Sequence, residues 1–171
     1  PTNTNFDLIR YLLDEFWGQV HISLGMTSYT EINAILNLIA KSNVDWSRIV
    51  LYHCTSEYPC PFEHLYLNQI RWIRSILPPE AQVGFSNHGY GIAADIAALT
   101  LGATWFERHF VDDRTLPHTD AAASLEPDGL RRLCRDLRAV AKALESDSKP
   151  GVTPEEEIQR KKLKYSQQDV G

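Results

Sequence analysis

Residues 82–110 read QVGFSNHGYGIAADIAALTLGATWFERHF, and this one stretch decides the fold. A run rich in β-formers, Gln82 to Ser86, leads into an apolar segment with helical spacing, Gly89 to Leu101, and a second strand-like run follows from Ala103 to His109. Strand, helix, strand at this spacing is a crossover unit, whose two strands lie parallel with a right-handed connection.

The same phrase repeats upstream. Strands are expected from Gln19 to Leu24 and from Arg48 to Cys54, so the four strand starts lie 29, 34 and 21 residues apart. Helices are expected from Ser28 to Lys41, where Ser28-x-x-Glu31 forms a capping box, from Phe62 to Leu77, and from Pro127 to Leu144. A helix from Asn5 to Phe16 has no strand before it, as a cut through a repeating β/α series would leave. The expected architecture is α/β: either a small open doubly wound sheet, or four βα units of a TIM-type eight-stranded barrel. These units occupy residues 1–145. From Ser146 the tail is polar with mixed charge and is expected to be an extended arm with one short helix around Pro154 to Lys164.

The 171 residues are 43% hydrophobic and 23% charged, which suits one sizeable core and excludes disordered and collagen-like classes. The net charge of −5 argues against a nucleic-acid surface, which needs clustered Lys and Arg. No apolar run reaches the roughly 18 residues of a membrane span, and the first residues lack the basic-then-apolar order of a secretory signal, so the expected compartment is the cytoplasm. Cys54, Cys60 and Cys134 show no metal-finger spacing and are read as reduced thiols.

In parallel α/β folds, reactive groups gather at the carboxyl ends of the strands. There this sequence places Gly25-Met26-Thr27-Ser28, His53-Cys54-Thr55-Ser56-Glu57-Tyr58-Pro59, Ser86-Asn87-His88-Gly89 and Glu107-Arg108-His109-Phe110. Side chains alternate along a strand, so Gly84, Ser86 and His88 share one face, and Trp105, Glu107 and His109 share one face of the next strand. Two histidines thus finish neighbouring strands, close enough for both to bind one cation at about 2.1 Å and leave its other positions open. The alternative for each is a hydrogen bond to backbone.

Glu107 is expected in a buried strand, where an unpaired carboxylate is costly. Its partner is expected to be an Arg or Lys on another strand, or else it orients a ligand His or water. Ser56, Thr55 and Ser86 stand where a phosphate or carboxylate binds, or where they cap the next helix. Asp120 is either a turn residue or a ligand for a substrate hydroxyl. His21 and His64 read as structural or surface residues, and His53, which ends a strand beside these groups but faces the same way as Ile49 and Leu51, reads either as packing or as part of the site.

These segments resemble the sialic acid synthase family, the N-acetylneuraminate and related nonulosonate synthases. The resemblance is carried by Gly25-Met26, CTSEYPCPFE at Cys54 to Glu63, GFSNHGYGIA at Gly84 to Ala93, LGATWFERHF at Leu101 to Phe110 and ASLEPDGL at Ala123 to Leu130. It implies a TIM-type barrel of which this chain is the second half, the family's phosphate-binding lysines and its water- and sugar-handling glutamates lying on the first. It implies condensation of phosphoenolpyruvate with an N-acetylated amino sugar such as N-acetylmannosamine, with a divalent metal, Mn²⁺ or Mg²⁺.

By the same resemblance, His88 and His109 are the metal ligands; with Glu107, read above from its place on the strand, they form the expected catalytic set. Ser56 and Ser86 contact phosphate, and Tyr58 and Asp120 match sugar-binding positions. Two segments depart from the family pattern: HTDAA at His118 to Ala122, where a Gly-x-Asp-His string is common, and Asn87, where Asp or Gly is frequent. Four open-edged units imply a homo-oligomer or association with an amino-terminal half. The competing functional readings are a metal-dependent aldolase or hydrolase on the same barrel, and a non-catalytic module that binds a sugar phosphate.

Overall fold

The computed structural model describes residues 2–117, 119–146 and 151–164, so His118 and the tail expectations at 147–150 and 165–171 lie outside the described residues. The chain divides into two compact units, residues 1–140 and 141–171. The first carries α1 (Phe6–Glu15), β1 (Val20–Ser23), α2 (Tyr29–Lys41), β2 (Ile49–Cys54), α3 (Asn68–Ile76), β3 (Gln82–Asn87), α4 (Ala93–Thr100), β4 (Trp105–Arg108) and most of α5 (Pro127–Ala143). In the second, α6 (Pro154–Leu163) starts on a capping box of Thr153 and Glu156 with Pro154 in its first turn.

The four strands form one parallel sheet in sequence order, β1-β2-β3-β4. A doubly wound sheet reverses its strand order at a switch point. This one does not, so the half-barrel is the arrangement observed. The register sets the two faces. Val20, Ile22 and Leu24, Ile49 and Leu51, and Val83 and Phe85 point outward, where α1 to α4 bury them with Ile9, Leu13, Ile35, Ile39, Ile70, Ile73 and Ala98 in one apolar core. The helices therefore cover a single face of the sheet.

The opposite face carries the other parity: His21 with Val50, Ser23 with Tyr52, Gly84 and Trp105, and Cys54 with Ser86 and Glu107. Tyr52 lies across β3, and a Cβ at residue 84 would stand 2.4 Å from its ring, so any side chain there must push the ring aside. The Tyr52 hydroxyl bonds to Nδ1 of His21 at 2.9 Å. Burial, with the Glu107 charge adding to it, pushes the Tyr52 pKa up to about 12.

Two expected helices are shorter than their apolar spacing suggests, for a shared reason. The segment Phe62 to Leu77 is a 3₁₀ turn at Phe62–His64, followed by α3. The end of β2 captures carbonyls that a continuous helix would need: His64 O accepts from the Thr55 hydroxyl at 2.9 Å, and Leu65 O accepts from His53 Nε2 at 2.7 Å. Tyr66 then turns left-handed at φ 43°. Likewise α4 begins at Ala93 instead of Gly89, because Asn87 Oδ1 holds the Gly89 N–H at 2.8 Å and Gly91 adopts φ 66°.

Candidate active site

β3 and β4 pair so that Ser86 stands opposite Glu107, and the same register brings the next pair on that face, His88 and His109, together just beyond the strand ends. Their ring centroids are 5.1 Å apart with perpendicular planes. Tyr58, from the β2–α3 loop, lies against both, 4.2 Å from His88 and 5.5 Å from His109. Ser56, Tyr58, Ser86, His88, Glu107 and His109 line one open cavity of about 250 Å³. Of the residues expected at the site, Thr55 and Asp120 are not in its wall.

Each imidazole is oriented from behind. His88 Nδ1 lies 2.9 Å from Thr55 O, and because a carbonyl only accepts, Nδ1 carries the proton and Nε2 keeps its lone pair in the neutral ring. His109 Nδ1 is 3.4 Å from Asp120 Oδ2, an ion pair when the ring is protonated. Asp120, expected as a turn residue or a ligand for a sugar hydroxyl, is thus also the group behind His109. Ring nitrogens held at Nδ1 by a carbonyl or a carboxylate are how metal-binding histidines are presented. A 5.1 Å centroid separation lets both reach one ion at about 2.1 Å. Among the described residues no group of three His, Cys, Asp or Glu could hold a metal. The donor set is therefore two nitrogens with the remaining positions open, which fits a divalent cation that also takes water or substrate oxygen.

Glu107 departs from expectation. It is exposed, because β4 is an edge of the sheet in this chain, and among the described residues no Arg or Lys pairs with it. Its partner is Ser86, whose hydroxyl donates to Oε1 at 2.7 Å. The adjacent Arg108 points to the outer face, where it pairs with Asp95.

Cys54, Ser23, Gly25 and Met26 also line the cavity, and none was singled out in the sequence as a site residue. The signal was the alternation itself: Cys54 has the parity of Tyr52 and pairs with Ser86. A Cβ at Gly25 would come within 2.6 Å of Ser56 Oγ and 2.8 Å of Cys54 Sγ, so this close approach requires glycine. Burial opposes ionisation of the Cys54 thiol, but hydrogen bonds from His88, Ser23 and Ser56 outweigh it and hold the pKa below the ordinary thiol value. Burial likewise opposes charge on His88, while Cys54 and the Thr55 carbonyl raise its pKa above the usual value. His53 lies behind the site, buried and stacked on Phe85, as a packing residue. His64 pairs with Glu57 at 2.9 Å on the surface.

The NeuB family model matches residues 1–149. The chain belongs to the NeuB family. It is 36% identical over 126 residues to the N,N'-diacetyllegionaminic acid synthase of Campylobacter jejuni, a match covering 74% of this chain and 37% of that protein. It is 36% identical over 128 residues to human N-acetylneuraminate-9-phosphate synthase, covering 75% of this chain and 34% of that one. The crystal structure of N-acetylneuraminic acid (sialic acid) synthetase from Leptospira borgpetersenii, in complex with citrate, superposes with a TM-score of 0.79 at 29% identity, over 96% of this chain and 56% of that one. This NeuB chain therefore spans little more than a third of those two curated relatives. Among its described residues no helix is long and apolar enough to cross a membrane.

Proposed function

We propose that this chain is the metal- and phosphate-facing half of a nonulosonate synthase barrel, which condenses phosphoenolpyruvate with an N-acetylated amino sugar and releases phosphate. The observation that carries the reading is the meeting of His88 and His109, each held at Nδ1, in one cavity with Ser56, Tyr58, Ser86 and Glu107. Family membership supports it.

His88 and His109 would hold a divalent cation, Mn²⁺ or Mg²⁺, which when bound supplies Lewis-acid polarisation and a water of lowered pKa at this point. Ser86 and Ser56 face the phosphate. Glu107 holds the Ser86 hydroxyl proton until a phosphate oxygen replaces it as acceptor. Tyr58 walls the cavity on the imidazole side and meets the sugar, while Asp120 orients His109 and stands within reach of a sugar hydroxyl. In the reaction, C3 of phosphoenolpyruvate attacks the aldehyde carbon, water adds at C2, and phosphate leaves with cleavage of the C–O bond. The lysines and glutamates that the family places on the first barrel half would stand over the exposed inner face, which carries His21, Trp105 and Glu107. The partner of this chain is then that half or a second copy.

The test is phosphate release from phosphoenolpyruvate with N-acetylmannosamine and Mn²⁺. It is measured for this chain alone and for this chain mixed with the amino-terminal half-barrel of a family member. Release that depends on sugar and metal, and appears in the mixture only, is the expected result. Mn²⁺ binding without turnover, in a mixture whose halves co-elute, would contradict the synthase and point to a binding module.

A further inference from the structure

Behind the two histidines, on the helix-covered face, a buried polar cluster joins the parts of the site. Arg108, the last residue of β4, and Asp95, in the first turn of α4, expose 3% and 0% of their side chains and lie 3.3 Å apart. Arg108 Nη2 donates to Gly89 O at 3.0 Å and to Ala123 O at 3.3 Å. Asn87, last in β3, donates to Asp95 Oδ2 at 2.8 Å while its own Oδ1 accepts the Gly89 N–H. Both backbone groups of Gly89 are therefore held by side chains, and Gly89 is the residue after His88. The Ala123 carbonyl belongs to the turn that starts at Asp120, where Ala123 N–H and the Ser124 hydroxyl both bond to Asp120 O. One guanidinium thus ties the His88 loop to the turn that orients His109, and it is itself the neighbour of His109.

Stability does not account for this arrangement. A buried ion pair roughly breaks even against apolar residues of equal size, and this pair leaves Asp95 Oδ1 and Arg108 Nε buried without hydrogen-bond partners among the described residues. Placement does account for it. We propose that Arg108, anchored by Asp95 and Asn87, is a positioning residue that fixes the His88 loop and the Asp120 turn relative to each other, so that the two imidazoles present their free nitrogens to one point. This rests on the reading of His88 and His109 as the cation's ligands. It also gives Asn87 a reason: a carboxylate at 87 would offer Asp95 no donor.

Arg108→Met keeps the stem and removes the fork; Arg108→Lys keeps the charge but cannot reach a carboxylate and two carbonyls together. Three readouts are needed: the Mn²⁺ dissociation constant by EPR titration, the ring nitrogen resonances of His88 and His109 in the metal-free protein, and thermal unfolding. Arg108→Met should still unfold cooperatively, bind Mn²⁺ about 10- to 100-fold more weakly and shift both sets of ring resonances, with Arg108→Lys in between. Ile35→Ala, destabilised in the apolar core on this same sheet face, should keep the wild-type dissociation constant. A folded Arg108→Met with Mn²⁺ affinity within twofold of wild type and unmoved ring resonances overturns the proposal. If Arg108→Met does not fold, Asp95→Asn carries the same comparison with the same criteria. If the wild-type protein itself binds no Mn²⁺, the metal reading fails, and the ring resonances alone decide the role of Arg108: unmoved, they overturn it; moved, they support it.

Discussion

The two faces of this four-stranded sheet are built from the same strands, residue by alternate residue, yet they obey different rules. The outer face is fully apolar along its length until the strand ends, and four helices close over it. The inner face carries His21, Ser23, Val50, Tyr52, Cys54, Gly84, Ser86, Trp105 and Glu107, with Glu107 and His21 exposed. Apolar burial under the helices stabilises the first at about 25 cal/mol per Å², whereas the second buries Val50, Tyr52 and Ser86 but leaves His21 and Glu107 open. The lesson is a division of labour by parity: one set of positions makes the half-barrel stand, and the interleaved set carries most of the groups that line the cavity.

If that division is right, substitutions on the two faces should fail differently. Ile35→Ala, on the fully buried side of α2, should lower unfolding free energy by about 2–5 kcal/mol in denaturant titration and leave the site's ligand affinities alone. A loss below 1 kcal/mol would mean that the outer face is not the packed core described. Gly84→Ala, on the inner face, drives a Cβ against the Tyr52 ring and should cost about 1–3 kcal/mol while displacing Tyr52 from His21, visible as a change in tyrosine fluorescence. Unchanged stability and fluorescence would show that Tyr52 is free to move.

The smallest effect concerns pH. Burial lowers the pKa of His53 from 6.5, although its bond to the Leu65 carbonyl opposes the shift. Its folded-state pKa is depressed, so the contribution to stability is present above pH 6.5 and is lost as pH falls toward the folded value, because the unfolded chain takes up the proton first. Unfolding measured from pH 8 down to pH 5 should show this decline in the wild-type protein and a shallower one in His53→Gln. Equal slopes would place His53 in contact with water.

Much of this was legible in the sequence, and the limits are physical. Strand alternation and the spacing of Ser86, His88, Glu107 and His109 placed the two imidazoles side by side before any coordinates, because parity and register follow from local geometry. The capping box at Ser28 and Glu31 formed as read. Helix starts were misjudged at Phe62 and Gly89, since side chains from distant strand ends take the backbone groups that a helix would use, and such long-range bonds leave no periodic trace. Glu107 was expected to be buried from its apolar neighbours, but β4 lies at an edge, and edges are properties of the assembled sheet. Arg108 and Asp95 stand 13 residues apart on different elements, and only the fold brings them together under the site.

The central claim is that His88 and His109 hold one cation between them. Mn²⁺ binding followed by EPR for the wild-type protein, His88→Ala and His109→Ala tests it most directly. Binding by the wild-type protein and a loss of at least about 100-fold in either variant, each still folded by circular dichroism, is the predicted result. Wild-type affinity retained in both variants would contradict it.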